Sequence, residues 1–158
     1  MPNYLIRVRP VSASNVITES GMGGAQKFIC PNAHLITGTG SGLACDRSEN
    51  FYISDRTRHV IYRWKRGQTS SIVFAGQLDV SGNSDGQGTA ASFNKPGPMC
   101  VDRSGFIWIL DVGNQLIRRM TDNAKVTTVA AISIGANEVP GQIIVDDSGN
   151  LFYIDTLP

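Results

Sequence analysis

Val101-Asp102-Arg103-Ser104-Gly105-Phe106-Ile107-Trp108-Ile109-Leu110-Asp111 packs a turn, a strand and the start of a second turn into eleven residues. Arg103-Ser104-Gly105 is turn material, with Gly where a positive φ is expected. Residues 106–110 are aromatic or aliphatic and suit a buried strand. The same phrase occurs twice more. It is Cys45-Asp46-Arg47-Ser48-Glu49-Asn50-Phe51-Tyr52-Ile53-Ser54-Asp55 upstream and Val145-Asp146-Asp147-Ser148-Gly149-Asn150-Leu151-Phe152-Tyr153-Ile154-Asp155 downstream. The leading Asp46, Asp102 and Asp146 are spaced by 56 and then 44 residues. Self-similarity at that period marks a repeat architecture.

Working outward from the middle copy, residues 99–101, 106–110, 116–120 and 126–131 read as four strands joined by tight turns. The first copy repeats them at 43–45, 50–54, 60–64 and 71–75; the last carries only 142–145 and 150–154. Four-stranded meanders of about 40–45 residues are propeller blades. The twelve additional residues of the first spacing fall in a loop, 77–94, that is rich in Gly, Ser, Asp and Asn and has no run able to form a strand of its own. The expected fold is therefore all-β, an incomplete β-propeller of about two and a half to three blades. Its blades are 41–76, 95–132 and a partial 139–158, preceded by an N-terminal segment, 1–40. That segment holds two short strand-like runs, Tyr4-Leu5-Ile6-Arg7-Val8-Arg9 and Lys27-Phe28-Ile29-Cys30, placed where the outer strands of a preceding blade would fall.

The pattern Pro96-Gly97, Val101-Asp102, Ser104-Gly105 and Asp111, followed by Gly113-Asn114-Gln115-Leu116-Ile117-Arg118, resembles the NHL repeat. Asn114-Gln115-Leu116 stands where that family has its Asn-His-Leu signature, and Arg58-His59-Val60 is the degenerate partner in the first copy. Residues 84–96 are similar to the segment between NHL blades, and the resemblance spans roughly residues 40–155. It implies the fold. NHL propellers serve many roles, so it does not fix the function.

Composition narrows the field. The chain has 158 residues, 41% hydrophobic and 17% charged, which is a globular composition. No apolar run reaches the ~18 residues of a membrane span. The charged start has no small-residue cleavage pattern, and Cys30, Cys45 and Cys100 are scattered without a Cys-x-x-Cys; buried reduced thiols and an intracellular setting are expected, with a virion as an alternative context. A net charge of +1 disfavours a general polyanion binder. The charge is uneven, however. Residues 1–66 hold nine Lys/Arg against four Asp/Glu, and residues 67–158 hold five against nine.

The recurring aspartates Asp46, Asp55, Asp102, Asp111, Asp146 and Asp155 invite a catalytic or metal-binding role. Recurrence once per repeat instead assigns them to turns, where a carboxylate accepts backbone N–H bonds. Residues 79–86 alternate oxygen-bearing side chains like a calcium loop, but Ser92 stands where a bidentate Glu would be needed. His34 and His59 are the only histidines, too few for the channel metal that the resemblance implies in propeller lyases and hydrolases. No metal or cofactor is expected. Arg56, Arg58, Tyr62, Arg63, Trp64, Lys65 and Arg66 form a basic strip with aromatics interleaved, the one candidate binding surface. It could hold RNA by phosphate contact and stacking, although its alternation is ordinary strand patterning and suits a solvated or protein-binding face equally.

Fewer than four blades do not close a propeller, and an open strand edge is a template for pairing. The expected function is thus a non-catalytic protein-interaction scaffold or structural subunit, completed by other copies of itself or by a partner chain, the rival reading being a piece of a longer propeller. The alternatives are a metal-dependent propeller lyase or hydrolase and an RNA-binding domain.

Overall fold

The computed structural model describes residues 16–17, 28–29, 42–134, 140–146 and 148–154. Among them there is no α-helix, and every sheet is built of antiparallel neighbours. Strands β1 (Val16–Ile17) and β2 (Phe28–Ile29) pair with each other. The strand-like run 4–9, His34, Cys30 and Asp155 lie outside the described residues.

The first blade is β3 (Leu43–Cys45), β4 (Asn50–Asp55), β5 (Val60–Lys65) and β6 (Ile72–Ala75), hydrogen-bonded in chain order. The second adds β8 (Pro96–Val101), β9 (Ile107–Asp111), β10 (Leu116–Met120) and β11 (Lys125–Ala131). Beyond β11 lies a fifth strand, β7 (Gly86–Gln87), from within the loop expected to form none. It pairs through Lys125↔Gln87 and Val126↔Gly86. Backbone pairing of two residues needs no apolar pattern, which is why the sequence hid it. The third unit is a hairpin, β12 (Gln142–Val145) and β13 (Leu151–Ile154).

The same register is built three times. Leu43 faces Ile53 and Ala44 faces Tyr52; Met99 faces Ile109 and Cys100 faces Trp108; Ile143 faces Tyr153 and Ile144 faces Phe152. A register fixes which side chains share a face, so equivalent positions do equivalent jobs in all three units. The turns repeat too. Glu49, Gly105 and Gly149 take φ values of 59°, 87° and 83°, and His59 and Gln115 take 61° and 54°.

Each blade stacks on the next through one face. Ala44, Tyr52, Ile61, Phe74 and Ala75 of the first blade meet Met99, Ile107, Ile109, Met120 and Val126 of the second. On the opposite side of the second blade, Trp108, Leu110 and Ile117 meet Ile143, with Cys100, Val145 and Leu151 packed around them. These two seams are the hydrophobic core, and each fully buried aliphatic side chain in them contributes about 1.5–3 kcal/mol. The cysteines depart from expectation. Cys45 is exposed and Cys100 only half-buried, and neither is in a disulfide. Cys45 lies on the first-blade face turned away from the second blade, while Cys100 lies in the thinner seam beneath the two-stranded hairpin.

Candidate functional site

The basic strip on β5 does not form one surface. Trp64 is only 3% exposed, and its indole N–H donates to the Gln68 carbonyl at 2.9 Å. Neighbouring side chains on a strand point to opposite faces, so Arg63 turns from Trp64 toward the second blade, its guanidinium 4.4 Å from the centre of the Phe74 ring. Arg58 donates twice to Asp79, at 3.0 and 2.8 Å, and Arg66 once to Glu49 at 2.8 Å. Binding to Asp79 holds the Arg58 proton more firmly than usual. Partial burial raises the Tyr62 phenol, with the Arg58 charge opposing. Lys65 is exposed, and Arg56 and Tyr62 are half-buried. Trp64 is thus not presented for base stacking, and Arg58, Arg63 and Arg66 already have partners.

The recurring aspartates are tied into turns. Asp46 Oδ1 accepts from the backbone N–H of Ser48 and Asn50, both at 2.9 Å. Its Oδ2 accepts from Asn50 Nδ2 at 2.7 Å and from the Tyr52 hydroxyl at 3.0 Å. Asp102 accepts from Phe106 N–H and Trp108 Nε1, and Asp146 from the N–H groups of Ser148 and Asn150 and the Asn150 amide. Asp55 accepts from the N–H groups of Thr57 and Arg58. Partial burial alone would raise the Asp46 carboxyl, but the bonds from Asn50, Tyr52 and Ser48 outweigh it and hold it below 3.8. A cavity of about 400 Å³ opens between the Asp46 and Asp102 turns. Its two repeat carboxylates are engaged in those turns, so they do not form a free acid–base pair.

Asp111 does more than cap a turn. It is fully buried and accepts from Asn94 N–H, Asn114 Nδ2 and Arg118 Nη1 at 2.8, 2.7 and 2.9 Å. Burial pushes its carboxyl up, with those bonds opposing. Arg118 is also fully buried. It reaches the carbonyls of Ser92 and Ser84 and the carboxylate of Asp85. One guanidinium therefore pins the inter-blade loop to β10. Sequence patterning missed it because an Arg within a strand reads as a solvated position. The available signal was its repeat equivalent, Tyr62, which is half-buried.

Among the described residues no three His, Cys, Asp or Glu side chains are grouped to hold a metal. His59 Nδ1 accepts from the Lys95 N–H at 3.0 Å.

What remains is the two ends of the stack. The alternation along β12 and β13 puts Ile144, Phe152 and Ile154 on the side opposite Ile143 and Val145. They are 51%, 53% and 58% exposed. Their repeat equivalents are Ala44 and Tyr52 in the first blade and Cys100, Trp108 and Leu110 in the second, all covered by the next unit except half-buried Cys100. At the other end, Leu43 is 52% exposed, beside exposed Cys45 and half-buried Phe51. These are the equivalents of Met99, Val101 and Ile107, which face the first seam.

This geometry is that of an incomplete β-propeller made of four-stranded blades. No family model matches the chain. The chain is similar to Teneurin-1 of Homo sapiens, 29% identical over 93% of this chain and 5% of the relative, and to Teneurin-1 of Mus musculus, 33% identical over 68% and 4%. It thus spans only a small fraction of these relatives' length. Among solved structures it is similar to an auxiliary nutrient binding protein from Bacteroides thetaiotaomicron, with a TM-score of 0.60, 21% identity, and coverage of 81% of this chain and 37% of that one. It is also similar to virginiamycin B lyase from Staphylococcus aureus, with a TM-score of 0.52, 12% identity, and coverage of 83% and 38%. At these identities the likeness is one of fold. No helix among the described residues is long and apolar enough to cross a membrane.

Proposed function

We propose that this chain is a non-catalytic protein-interaction module of NHL-type blades, working through its exposed apolar faces. One observation carries the proposal. The face that is covered on the first and second units is bare on the third, at Ile144, Phe152 and Ile154. A contiguous apolar face at a structurally repeated docking position takes up a packed partner, whether a following blade of the same protein or a different protein. The same fold occurs in an auxiliary nutrient binding protein and in a lyase, which keeps an enzyme as the second reading. Native mass measurement of the purified full chain, alone and after exposure to extract of its source, tests the first reading. The chain should carry bound protein, its own or another, and Phe152→Glu should release it. A chain that stays monomeric and captures nothing overturns the proposal. Stoichiometric metal in the purified protein would favour the enzyme.

A further inference from the structure

We propose that the cleft between the first two blades binds a small zwitterion of dipeptide size, with Arg47 holding its carboxylate and Asp122 its ammonium. This site goes beyond the interaction-module reading and does not depend on it. It lies between two four-stranded blades of the described structure. The Asp46 turn of the first blade forms one wall, and the Asp102 turn with Thr121 and Asp122 of the second forms the other. Half-buried Val101 and Phe106 add an apolar part to the lining. The volume is about 400 Å³, toward the small end of the roughly 300–1,000 Å³ usual for small-molecule sites.

The repeat separates the charges that the fold requires from those it does not. Asp46 and Asp102 spend both carboxylate oxygens on their own turns. The residue after each need not be basic, since the third copy has Asp147 there. Arg47 and Arg103 nevertheless occupy it on the two walls of the cleft, and both are exposed. Asp122 stands where the first blade has Arg66, so the blade does not require a carboxylate there either. Among the described residues neither Arg47 nor Asp122 forms a hydrogen bond or an ion pair.

The two charges sit on one seam. Burial and the bond to Asp46 raise the Tyr52 phenol; the Asp122 charge adds to them across the seam, and Arg63 opposes. The second blade's unspent carboxylate therefore lies near the Asp46 turn of the first. An ammonium in that space gains a charge-assisted bond from Asp122, with the field of Asp46 behind it. Arg47 offers the planar fork that takes a carboxylate through two N–H bonds. Arg103, engaged elsewhere as well, adds its positive field from the facing wall. A ligand with one charge would leave the other pole desolvated and unpaired, which costs free energy. A zwitterion pairs both, and Val101 and Phe106 receive an apolar side chain between them.

The test titrates the isotope-labelled full chain with glycyl-leucine at millimolar concentrations and follows its backbone amide resonances. Those of residues 46–48, 102–106 and 121–122 should shift and saturate. N-acetyl-glycyl-leucine lacks the ammonium and glycyl-leucinamide lacks the carboxylate. Each should bind about ten-fold more weakly, the worth of one hydrogen bond to a charged group. Arg47→Gln should weaken glycyl-leucine by a similar factor and leave glycyl-leucinamide unchanged. Asp122→Asn should weaken glycyl-leucine too and leave the N-acetylated dipeptide unchanged. Should either variant misfold, the two blocked dipeptides on the wild type still decide. No saturable shift, shifts confined to other residues, equal affinity for the blocked dipeptides, or variants that bind as the wild type does each overturns the proposal.

Discussion

Arg118 Nη1 lies 2.9 Å from Asp111 Oδ2, and neither side chain has any exposure to solvent. A buried pair of this kind is weak evidence of net stability, but removing one partner leaves an uncompensated charge. Arg118→Ala should therefore cost about 3–5 kcal/mol. It should also free residues 84–92 from their anchor, exposing that loop to protease. Arg118→Lys should not rescue fully, because a point charge cannot span Ser92, Ser84, Asp85 and Asp111 as the planar fork does. Urea unfolding and limited proteolysis measure both effects. A loss below about 1 kcal/mol, typical of exposed pairs, would refute the anchoring role.

Glu49 occupies a backbone position that its equivalents fill with Gly105 and Gly149. A left-handed conformation costs a non-glycine residue roughly 1–2 kcal/mol. Glu49→Gly relieves that strain and loses an exposed ion pair to Arg66 worth about 0–1 kcal/mol. The expected net effect is stabilisation of roughly 0.5 kcal/mol, since glycine also loses more freedom on folding. A higher thermal midpoint checks it, and a lower one would mean the Arg66 contact outweighs the strain.

The blades were legible because their determinants are local. A turn headed by Asp102 and a strand such as residues 106–110 each fit within a few neighbours, and the repeat multiplies the signal. Strand β7 was not legible, since Gly86 and Gln87 pair through backbone alone and their partners lie in β11, about forty residues on. The candidate site fared worse for a related reason. The cations of residues 56–66 cluster in sequence, but Asp79 and Glu49 come from elsewhere to pair with Arg58 and Arg66. Strand alternation also separates Arg63 from Trp64. The end faces could be inferred as edges, but their exposed residues are identified only by comparing three registers in space.

The two described cysteines should differ in reactivity. Burial, with the Asp102 charge adding to it, pushes the Cys100 thiol up to about 11. Thiolate is the reactive form, so Cys100 should react slowly at pH 8. Cys45 is exposed, and its thiol donates to the Asp46 carbonyl at 3.3 Å. Site-resolved mass spectrometry after brief alkylation of dilute protein should find Cys45 modified well before Cys100. Equal rates would mean that the seam over Cys100 opens readily.

Asp46 gives stability a specific dependence on pH. Its carboxyl lies below 3.8 in the folded chain, as do those of Asp85 and Asp146. A depressed folded-state value means the stabilisation is present above the unfolded value and is lost as pH falls through the folded one. Asp111 has the opposite sign, because burial raises it, so protonating it on acidification partly offsets the loss. Replacing Asp46 isolates its share. In Asp46→Asn the new amide turns a donor toward Asn50 Nδ2 or Tyr52 OH, both of which donate to the native carboxylate. The cost at pH 7 should be about 1–2 kcal/mol. As pH falls through the folded-state value the native carboxyl is itself protonated, so the gap between variant and wild type should shrink. Urea midpoints across an acid titration decide it, and a gap that stays constant would mean that the Asp46 charge contributes nothing to the turn.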